Sequence, residues 1–438
     1  MNIILLSGGS GKRLWPLSNG VRSKQFIPFF KKEDGTYESM VQRMYRFIKT
    51  IDKKAKVVIA TSKSQVSELK NQLGDDISIS IEPTRRDTFP AIALAASYLY
   101  DVLGVSEEES IVVCPVDPYV DQSYFDAIKE LESLSKTSDF NLSLIGIKPT
   151  YSSEKYGYII PEDNGLVSRV KRFVEKPTSE DARKYIEQEN ALWNAGVFAF
   201  NLGYMLNKSH ELIDFVDYYD LFDKYETVNK ISFDYAIAEK EKSIQVLKFD
   251  GIWEDLGTWS TLTDVLLETS IGNVLTKDCK NVRTINELDI PVVIYGLKNS
   301  IVALSPEGVL VSTIEKSAGI KPLAEQIDDG TIRFAEKSWG EYKVIDLSDN
   351  SLTIKISLNK GHKMSYHSHE RRDEVWTIVS GNGQVVVDGM NQSVYQGDVI
   401  SMSAGTRHTL IAETDMVLIE VQIGKDINVL DKIKYEIE

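Results

Sequence analysis

The sequence predicts an α/β protein that begins with a mainly parallel sheet, continues into a short β connector and ends in a β-barrel. Three successive patterns along the 438 residues indicate this order. From residue 1 to about 260, short β-branched runs alternate with longer helical patterns, as in parallel α/β folds. Beyond Ile271 the chain changes to short alternating strands. From about residue 332 it is rich in strand patterns and holds four of its five histidines.

The elements can be assigned in order from their composition. Apolar, β-branched runs predict strands of the first region at 3–6, 57–60, 77–81, 111–114 and 142–147. A run rich in alanine and leucine at 90–100 opens with a proline and predicts a buried helix. In the connector, strands are predicted at 291–295, 300–304 and 308–312. We expect domains at 1–268, 269–330 and 331–438, with a charge-rich linker at 325–331.

The composition limits the function classes that the chain can serve. Its formal net charge of −15 disfavours polymeric nucleic acid and anionic membranes as partners, because their phosphates would be repelled. Cys114 and Cys279 lie far apart and give no indication of a disulfide framework or a cysteine zinc site. The apolar N-terminal run is too short for a secretory signal, and no run approaches the ~18 residues of a membrane span. We therefore expect a cytoplasmic protein.

A glycine-rich loop follows the first strand directly, at Leu6-Ser-Gly8-Gly9-Ser10-Gly11-Lys12-Arg13. Backbone amides in such a loop can line a concavity for phosphate, and the basic side chains add positive charge. The spacing from Gly8 to Gly11 is too short for a P-loop. Leu14 stands where a dinucleotide-binding fingerprint needs a small residue. Neither of these two nucleotide-binding motifs therefore describes the loop.

The longer stretch 6–18, continued by Arg22-Ser-Lys24-Gln-Phe26, resembles the signature of sugar-1-phosphate nucleotidyltransferases, and among them of mannose-1-phosphate guanylyltransferases. Further segments resemble that family in the same order along the chain, at 82–96, 113–118, 156–158, 173–177, 193–196 and 253–259. Asp87, Phe89 and Pro118 stand where the family usually has Asn, Ala and His. The resemblance covers about residues 1–320 and implies a Rossmann-like nucleotidyltransferase domain followed by a connector that resembles a β-helix.

The resemblance implies three groups of site residues. The nucleotide would be bound by Leu6, Gly8, Gly9, Ser10, Gly11, Arg13, Lys24 and Arg86. The sugar phosphate would be bound by Gly157, Glu175, Lys176, Asn194 and Gly196. Asp117 and Asp255 would hold Mg²⁺, and Arg13, Lys24 and Asp117 would be catalytic.

The implied reaction joins GTP and mannose 1-phosphate to give GDP-mannose and pyrophosphate. Such a transfer needs in-line positioning and neutralisation of anions rather than a protein nucleophile, which fits a site built from basic side chains and two carboxylates. Two alternatives stay open: transfer to another sugar 1-phosphate or from another nucleotide, and a metal-dependent sugar-binding protein without catalysis. The β edges of the connector favour a homodimer.

A second candidate site lies in the last region. His367 and His369 are two apart, so on a strand they point to the same side, where Glu374 and His408 can join them from neighbouring strands. The spacing Gly361-x5-His367-x-His369-x4-Glu374-x6-Gly381 resembles the first cupin motif, and Gly397-x5-Ser403-x-Gly405-x2-His408 resembles the second. The resemblance implies a cupin β-barrel that holds a divalent metal, Zn, Fe, Mn, Ni or Co, on three histidines and one glutamate.

This barrel is similar to the type II phosphomannose isomerase domain that is often fused to guanylyltransferases. His367 stands where that domain usually has glutamine, and the segment Glu370-Arg371-Arg372-Asp373 is altered. Two interpretations stay open for the barrel: mannose-6-phosphate isomerisation, and a structural or sugar-sensing role.

Overall fold

A computed structural model of the protein describes residues 1–9, 12–327, 332–425, 427 and 431–436. These residues form two compact units. The first comprises Met1–Gly9, Pro28–Val66 and Asp76–Leu256, and the second comprises the remaining described residues, at 12–27, 67–75 and from 257 onward. Because each unit is assembled from several chain segments, the domain boundaries at 268 and 330 stay predictions. Most of the predicted linker at 325–331 lies outside the described residues.

The α-helices, in chain order, are α1 (Met40–Ile51), α2 (Val66–Leu73), α3 (Thr88–Ser97), α4 (Gln122–Thr137), α5 (Ser179–Glu189), α6 (Leu202–Leu212), α7 (Tyr218–Lys224), α8 (Trp259–Val265), α9 (Ile314–Ser317) and α10 (Lys321–Ala324). Single turns of 3-10 or π helix lie at Lys12–Leu14, Lys24–Phe26, Lys63–Gln65, Tyr98–Val102, Tyr225–Thr227 and Asp234–Ala238. Every helix of the described chain falls short of the length or the apolar character that a bilayer span demands.

The strands of the first unit are β1 (Asn2–Ser7), β2 (Phe30–Lys31), β3 (Tyr37–Glu38), β4 (Lys56–Ser62), β5 (Ser78–Glu82), β6 (Ser110–Pro115), β7 (Pro118–Val120), β8 (Leu142–Ile147), β9 (Tyr158–Pro161), β10 (Val167–Val174), β11 (Leu192–Asn201), β12 (Ile244–Phe249) and β13 (Trp253–Asp255). Nine of them form one sheet in the order β5-β4-β1-β6-β11-β8-β12-β10-β9, counted over the described residues. Strands β5, β4, β1 and β6 are parallel neighbours, and β11 then runs antiparallel to both β6 and β8. The predicted α/β class is confirmed, and the sheet is parallel in its first half and mixed in its second.

The alanine-rich helix α3 is buried along residues 89–97 and belongs to the main core of this unit, as predicted. It begins at Thr88, two residues before the predicted start, because the Asp87 carboxylate accepts a hydrogen bond of 2.8 Å from the Thr88 amide. Capping by an acidic side chain satisfies an amide that the helix itself leaves without a partner. The helical path continues as a π turn through Val102.

The connector of the second unit contains β14 (Ser270–Ile271), β15 (Val274–Lys277), β16 (Lys280–Asn286), β17 (Val292–Tyr295), β18 (Lys298–Ser305) and β19 (Gly308–Thr313). Strands β14, β16 and β18 pair in parallel on one side, and β15 and β17 pair in parallel on another. The pairs Val274–Val292 and Lys280–Lys298 are offset by 18 residues and Ser270–Thr284 by 14, so successive turns of the chain stack on one another. This stacking is the geometry of a β-helix, and it buries Val282, Ile294, Val302 and Leu304.

The C-terminal strands are β20 (Phe334–Lys337), β21 (Gly340–Ser348), β22 (Ser351–Leu358), β23 (His367–Ser368), β24 (Arg372–Ser380), β25 (Asn382–Val387), β26 (Met390–Tyr395), β27 (Val399–Met402), β28 (His408–Ala412), β29 (Met416–Gly424) and β30 (Ile433–Lys434). They form sheets in the orders β20-β21-β22-β29-β24-β27 and β26-β25-β28-β23-β30. Trp376, Leu410 and Leu418 are fully buried between them. This is the predicted small β-barrel of the cupin kind.

Candidate functional site

The glycine loop leaves β1 with Gly8 and Gly9 exposed. The Gly9 carbonyl accepts a hydrogen bond of 3.0 Å from Gln65 Nε2, and the Gln65 side-chain carbonyl in turn accepts one of 2.7 Å from the Thr61 hydroxyl. Gln65 is almost completely buried, so its side-chain amide anchors the glycine loop to the interior of the unit. Leu6 is half-buried in β1, whereas Ser10 and Gly11, also predicted to bind the nucleotide, lie outside the described residues.

The predicted basic residues of the nucleotide site are distributed over both units. Arg13 is exposed on the turn Lys12–Leu14, and Lys24 is half-buried at the start of the turn Lys24–Phe26 in the second unit. Arg86 belongs to the first unit, where its guanidinium donates a hydrogen bond to the carbonyl of Glu226. Beside it, the Tyr225 hydroxyl donates to the buried Glu82 carboxylate over 2.9 Å. These contacts hold the segment that the sequence assigned to the base.

A cavity of about 270 Å³ opens in the first unit and brings together most of the predicted sugar and metal residues. Its predicted lining residues are Asp117, Gly157, Glu175, Asn194, Gly196 and Asp255. Lys176 is outside the lining, but its ammonium pairs with the Glu175 carboxylate. Two further lining residues, Lys155 and Asp234, were missed by the sequence analysis, and Trp253, within the segment 253–259, was given no role.

Glycine is required at 157 because another part of the cavity wall stands directly against it. A β-carbon at this position would lie 2.5 Å from Glu175 Oε2 and 2.9 Å from the Phe173 ring. Both distances are below van der Waals contact, so any side chain at 157 would displace the Glu175 carboxylate. The Gly157 carbonyl also accepts a hydrogen bond of 2.8 Å from the backbone amide of Asn194. The residue thus sets the spacing between the strand carrying Asn194 and the loop carrying Glu175.

The Asn194 side chain is held at both ends of its amide. Its Nδ2 donates to Asp234 Oδ1 over 2.7 Å, and its Oδ1 accepts from the Gly196 amide over 3.1 Å. Gly196 has φ = +70°, a left-handed conformation that glycine adopts without strain. The irregular part of β11 around these residues interrupts its pairing with β8 between Asn194 and Phe198. Asp234 therefore orients the side chain that faces the cavity from this irregular stretch.

Asp117 and Asp255 are brought to one side of the cavity by a short two-stranded ladder. Asp255, the last residue of β13, pairs with Pro118 of β7, and Asp117 immediately precedes Pro118. Both side chains line the cavity. Two carboxylates and the oxygens of a phosphate are the hard donor set that Mg²⁺ prefers, so these residues fit that ion.

The barrel assembles the second predicted site. His367, His369, His408 and Glu374 are all buried, and the ligand atoms of the three histidines lie within 4.8 Å of one another. The pairing of β23 with β28 places His367 directly opposite His408. On each histidine Nδ1 faces a backbone carbonyl, namely those of Ser365, Asp431 and Thr406. This arrangement puts the ring proton on Nδ1 and leaves Nε2 as the acceptor atom of each ring.

The charge state of the cluster also suits a metal. Burial lowers the pKa of His367 to about 2 and that of His369 to about 4, so both rings are neutral and able to ligate. His408 Nε2 and Glu374 Oε2 are buried without a hydrogen-bond partner among the described residues, although they lie 3.2 Å apart. Two facing lone pairs at this distance are satisfied by a shared cation. The residues therefore fit a divalent metal ion.

Three polar groups beside this cluster were given no role by the sequence analysis. Arg372 donates from Nε to Glu374 Oε1 over 3.2 Å, and its terminal nitrogen lies 3.1 Å from His369 Nε2. On β29, Gln422 donates to the buried Glu420 carboxyl group. Burial and the neighbouring Glu374 raise the pKa of Glu420 to about 8, so this carboxyl group retains its proton at neutral pH. The barrel interior is therefore polar well beyond the four predicted ligands.

Comparison with known proteins agrees with both halves of the chain. Residues 2–270 match the nucleotidyl transferase family, and residues 328–436 match the C-terminal domain of mannose-6-phosphate isomerase. The xanthan biosynthesis protein XanB of Xanthomonas campestris pv. campestris (strain B100) is 30% identical, over 99% of this chain and 97% of its own length. The mannose-1-phosphate guanylyltransferase of Escherichia coli (strain K12) is 28% identical, over 99% of this chain and 97% of its own.

A solved structure resembles a large part of the chain. It is described as mannose-1-phosphate geranyltransferase from Thermus thermophilus and is 26% identical, with a TM-score of 0.63 over 74% of this chain and 98% of its own. The sequence resemblance to sugar-1-phosphate nucleotidyltransferases is thereby confirmed at the level of the family. This chain belongs to the nucleotidyl transferase family and carries a C-terminal domain of the mannose-6-phosphate isomerase kind.

Proposed function

We propose that the protein is a mannose-1-phosphate guanylyltransferase, which transfers GMP from GTP to mannose 1-phosphate and releases pyrophosphate. The observation on which this proposal rests is the cavity of the first unit, which is lined by Asp117 and Asp255 together with Gly157, Glu175, Asn194 and Gly196. We call the last four residues the sugar wall. The full-length similarity to proteins named mannose-1-phosphate guanylyltransferase supports the choice of base and sugar.

The reaction requires the protein to position the two substrates and to neutralise the charge of their phosphates. The phosphate oxygen of the sugar attacks the α-phosphorus of GTP, the bond to pyrophosphate breaks in line, and no covalent enzyme intermediate forms. Glu175, Asn194 and the backbone at Gly157 and Gly196 hold the sugar, while Lys176, which is also paired with Glu175, contacts its phosphate. Leu6, Gly8, Gly9, Ser10, Gly11 and Arg86 bind the nucleotide, with Arg13 and Lys24 on the triphosphate.

Asp117 and Asp255 hold Mg²⁺ in this proposal. The ion, when bound, neutralises charge on the α-phosphate and on the attacking oxygen. The two carboxylates fix its place relative to the sugar wall, because β7 and β13 pair directly beside the cavity.

Pyrophosphate release tests the proposal. GTP, ATP, UTP and dTTP are each assayed with mannose 1-phosphate and with glucose 1-phosphate, in the presence of Mg²⁺. Release with GTP and mannose 1-phosphate alone is the expected result. Release with another pair would change the substrate within the same enzyme class. Binding of sugar phosphates without any pyrophosphate release would favour the non-catalytic alternative.

The barrel supports a second candidate activity, the interconversion of mannose 6-phosphate and fructose 6-phosphate. Isomerisation requires a polarised carbonyl and a group that carries a proton between adjacent carbons. The buried His367, His369, His408 and Glu374 cluster would hold the divalent metal, Zn, Fe, Mn, Ni or Co, and Glu420 is a proton-bearing group beside it. Conversion of fructose 6-phosphate by the metal-loaded full chain tests this activity. If fructose 6-phosphate is not converted, the structural or sugar-sensing role of the barrel is favoured instead.

We also propose that the enzyme acts in the cytoplasm as a homodimer. Nucleotide and sugar-phosphate substrates are cytoplasmic, and both cysteines are free in the structure. Exposed apolar side chains along the connector strands, among them Leu275, Val293 and Tyr295, support a partner subunit. Light scattering on the purified full chain gives the mass that tests the dimer.

A further inference from the structure

Asp234 stands on the sugar side of the cavity, opposite the strand that carries Asn194. It begins the one-turn helix Asp234–Ala238, lines the cavity and is half-buried. Its Oδ1 accepts the hydrogen bond of 2.7 Å from Asn194 Nδ2. Asp234 is therefore a positioning residue, because it orients the amide that faces the sugar rather than belonging to the metal-binding pair.

The groups that surround Asp234 are mainly acidic. Glu175 faces it from the loop after β10, and Asp87 acts on it from the turn before α3. The positive charge that acts on it is that of Lys176, which is also paired with Glu175. The charged residues elsewhere in the cavity wall are Asp117, Asp255 and Lys155, counted over the described residues.

This distribution of charge is unfavourable for an anionic substrate. With Asp117 and Asp255 neutralised by Mg²⁺, the remaining carboxylates of Glu175 and Asp234 balance the ammonium groups of Lys155 and Lys176. A sugar phosphate then adds at least one negative charge to a partly desolvated cavity, where charge repulsion is weakly screened. Loss of one carboxylate charge would restore the balance, and Asp234 is the carboxyl group whose hydrogen bond comes from a neutral amide rather than from a cation.

We propose that Asp234 takes up a proton when the sugar 1-phosphate binds, so that binding of this substrate is coupled to protonation of the cavity wall. The inference rests on the proposed function, whose sugar-phosphate site it deepens. Burial, and next the charge of Glu175, raise the pKa of Asp234 to about 7 in the free protein. A second negative charge from the substrate raises it further, because repulsion disfavours the ionised form.

The protonated side chain keeps its structural role. Oδ1 still accepts from Asn194 Nδ2, and the new hydroxyl at Oδ2 becomes a donor toward the cavity. The substitution Asp234→Asn imitates this state, since its amide oxygen can accept from Asn194 and its nitrogen donates. The variant retains the geometry and loses the titration, which separates the coupling from a purely structural contribution.

The test compares kcat/KM for mannose 1-phosphate between the wild type and Asp234→Asn from pH 6 to pH 8, with saturating GTP and Mg²⁺. Because the substrate binds the protonated form, a pKa of about 7 for Asp234 in the free enzyme makes the wild-type kcat/KM fall as the pH rises. Relative to kcat/KM of the variant, the expected fall is roughly tenfold over this interval. Taking the ratio of the two proteins cancels ionisation of the substrate itself. Asp126→Asn, on the exposed side of α4, is the matched control and is expected to follow the wild type.

A second measurement needs no variant. Titration calorimetry of the wild type with mannose 1-phosphate, in two buffers of different ionisation enthalpy at pH 8, is expected to show uptake of about 0.9 proton per site. A pH-independent ratio together with no proton uptake would overturn the inference while leaving the proposed function intact.

The panel of nucleotides and sugar phosphates distinguishes failure of the proposed function from failure of the proton coupling. If another sugar 1-phosphate is used in place of mannose 1-phosphate, the proposed substrate is wrong, and the same ratio is measured with the sugar that is used. If no sugar 1-phosphate is bound or turned over, both the function and the coupling are overturned.

Discussion

His408 Nε2 lies 3.2 Å from Glu374 Oε2, and both atoms are buried without a hydrogen-bond partner in the described part of the chain. Since the Nδ1 proton of His408 points to the Thr406 carbonyl, the two facing atoms both offer lone pairs. A buried polar atom without a partner costs about 1–3 kcal/mol, so the structure favours a cation at this place. The relationship links the barrel's stability to its metal content.

Metal binding should therefore stabilise the wild type and not a variant that lacks two ligands. We expect Zn²⁺, Co²⁺ or Mn²⁺ to raise the thermal midpoint of the chelator-treated full chain, by an amount that grows with metal concentration. The double substitution His367→Ala, His408→Ala should abolish this shift. His362→Ala is the matched control, because His362 lies in the same barrel, away from the cluster, and bonds a carbonyl of its own turn. An equal shift in both variants would contradict the site.

Removal of either carboxylate of the transferase cavity should abolish turnover without unfolding the protein. Asp117→Asn and Asp255→Asn each replace a charged oxygen ligand, and we expect kcat for pyrophosphate release to fall by roughly 10²–10³. Circular dichroism and the thermal midpoint should stay close to the wild type. Asp126→Asn makes the same chemical change on an exposed helix face and should retain full activity. Unchanged turnover in Asp117→Asn would refute the metal role of that residue.

The sequence predicted those parts of the sites that depend on local spacing. His367 and His369 lie two apart, and in the structure His367 begins the short strand β23 while His369 follows its last residue. Asp117, Glu175 and Asn194 were indicated by short, contiguous segments that resemble the family, at 113–118, 173–177 and 193–196. The resemblance then supplied the roles that spacing cannot give, and those roles stay predictions.

Contacts between distant segments could not be predicted in this way. Asp234 and Asn194 are 40 residues apart, and their hydrogen bond exists only because the helical turn at 234 packs beside the irregular part of β11. Glu420 comes close to the metal cluster through the pairing of β24 with β29, which sets Trp376 opposite Glu420. Neither Asp234 nor Glu420 belongs to a recognisable motif. From sequence alone, an acidic residue in a helix or a strand is expected to be an exposed charge, because its contacts are not known.

A methyl group at position 157 should impair sugar binding rather than folding. In Gly157→Ala the β-carbon would lie 2.5 Å from Glu175 Oε2, so the Glu175 carboxylate must move. We expect KM for mannose 1-phosphate to rise at least tenfold and KM for GTP to change little. Gly319→Ala is the control, because its β-carbon would meet only an ordinary contact at 3.5 Å. If KM for both substrates rose equally, the substitution would have disturbed more than the sugar wall.

Glu68 should make the protein less stable as the pH rises through neutrality. This carboxyl group, on α2, is 1% exposed, and neither of its oxygens has a hydrogen-bond partner among the described residues. Burial raises its pKa from 4.5 to about 7 in the folded state, so the wild type loses on the order of 2 kcal/mol between pH 5 and pH 8 from this group. Glu68→Gln removes the titration, and its stability relative to the wild type, measured by urea unfolding, should improve by that amount over the same interval. Glu130→Gln, on an exposed position of α4, should show no such trend, and a constant difference for Glu68→Gln would mean that the carboxyl group is not protonated in the folded protein.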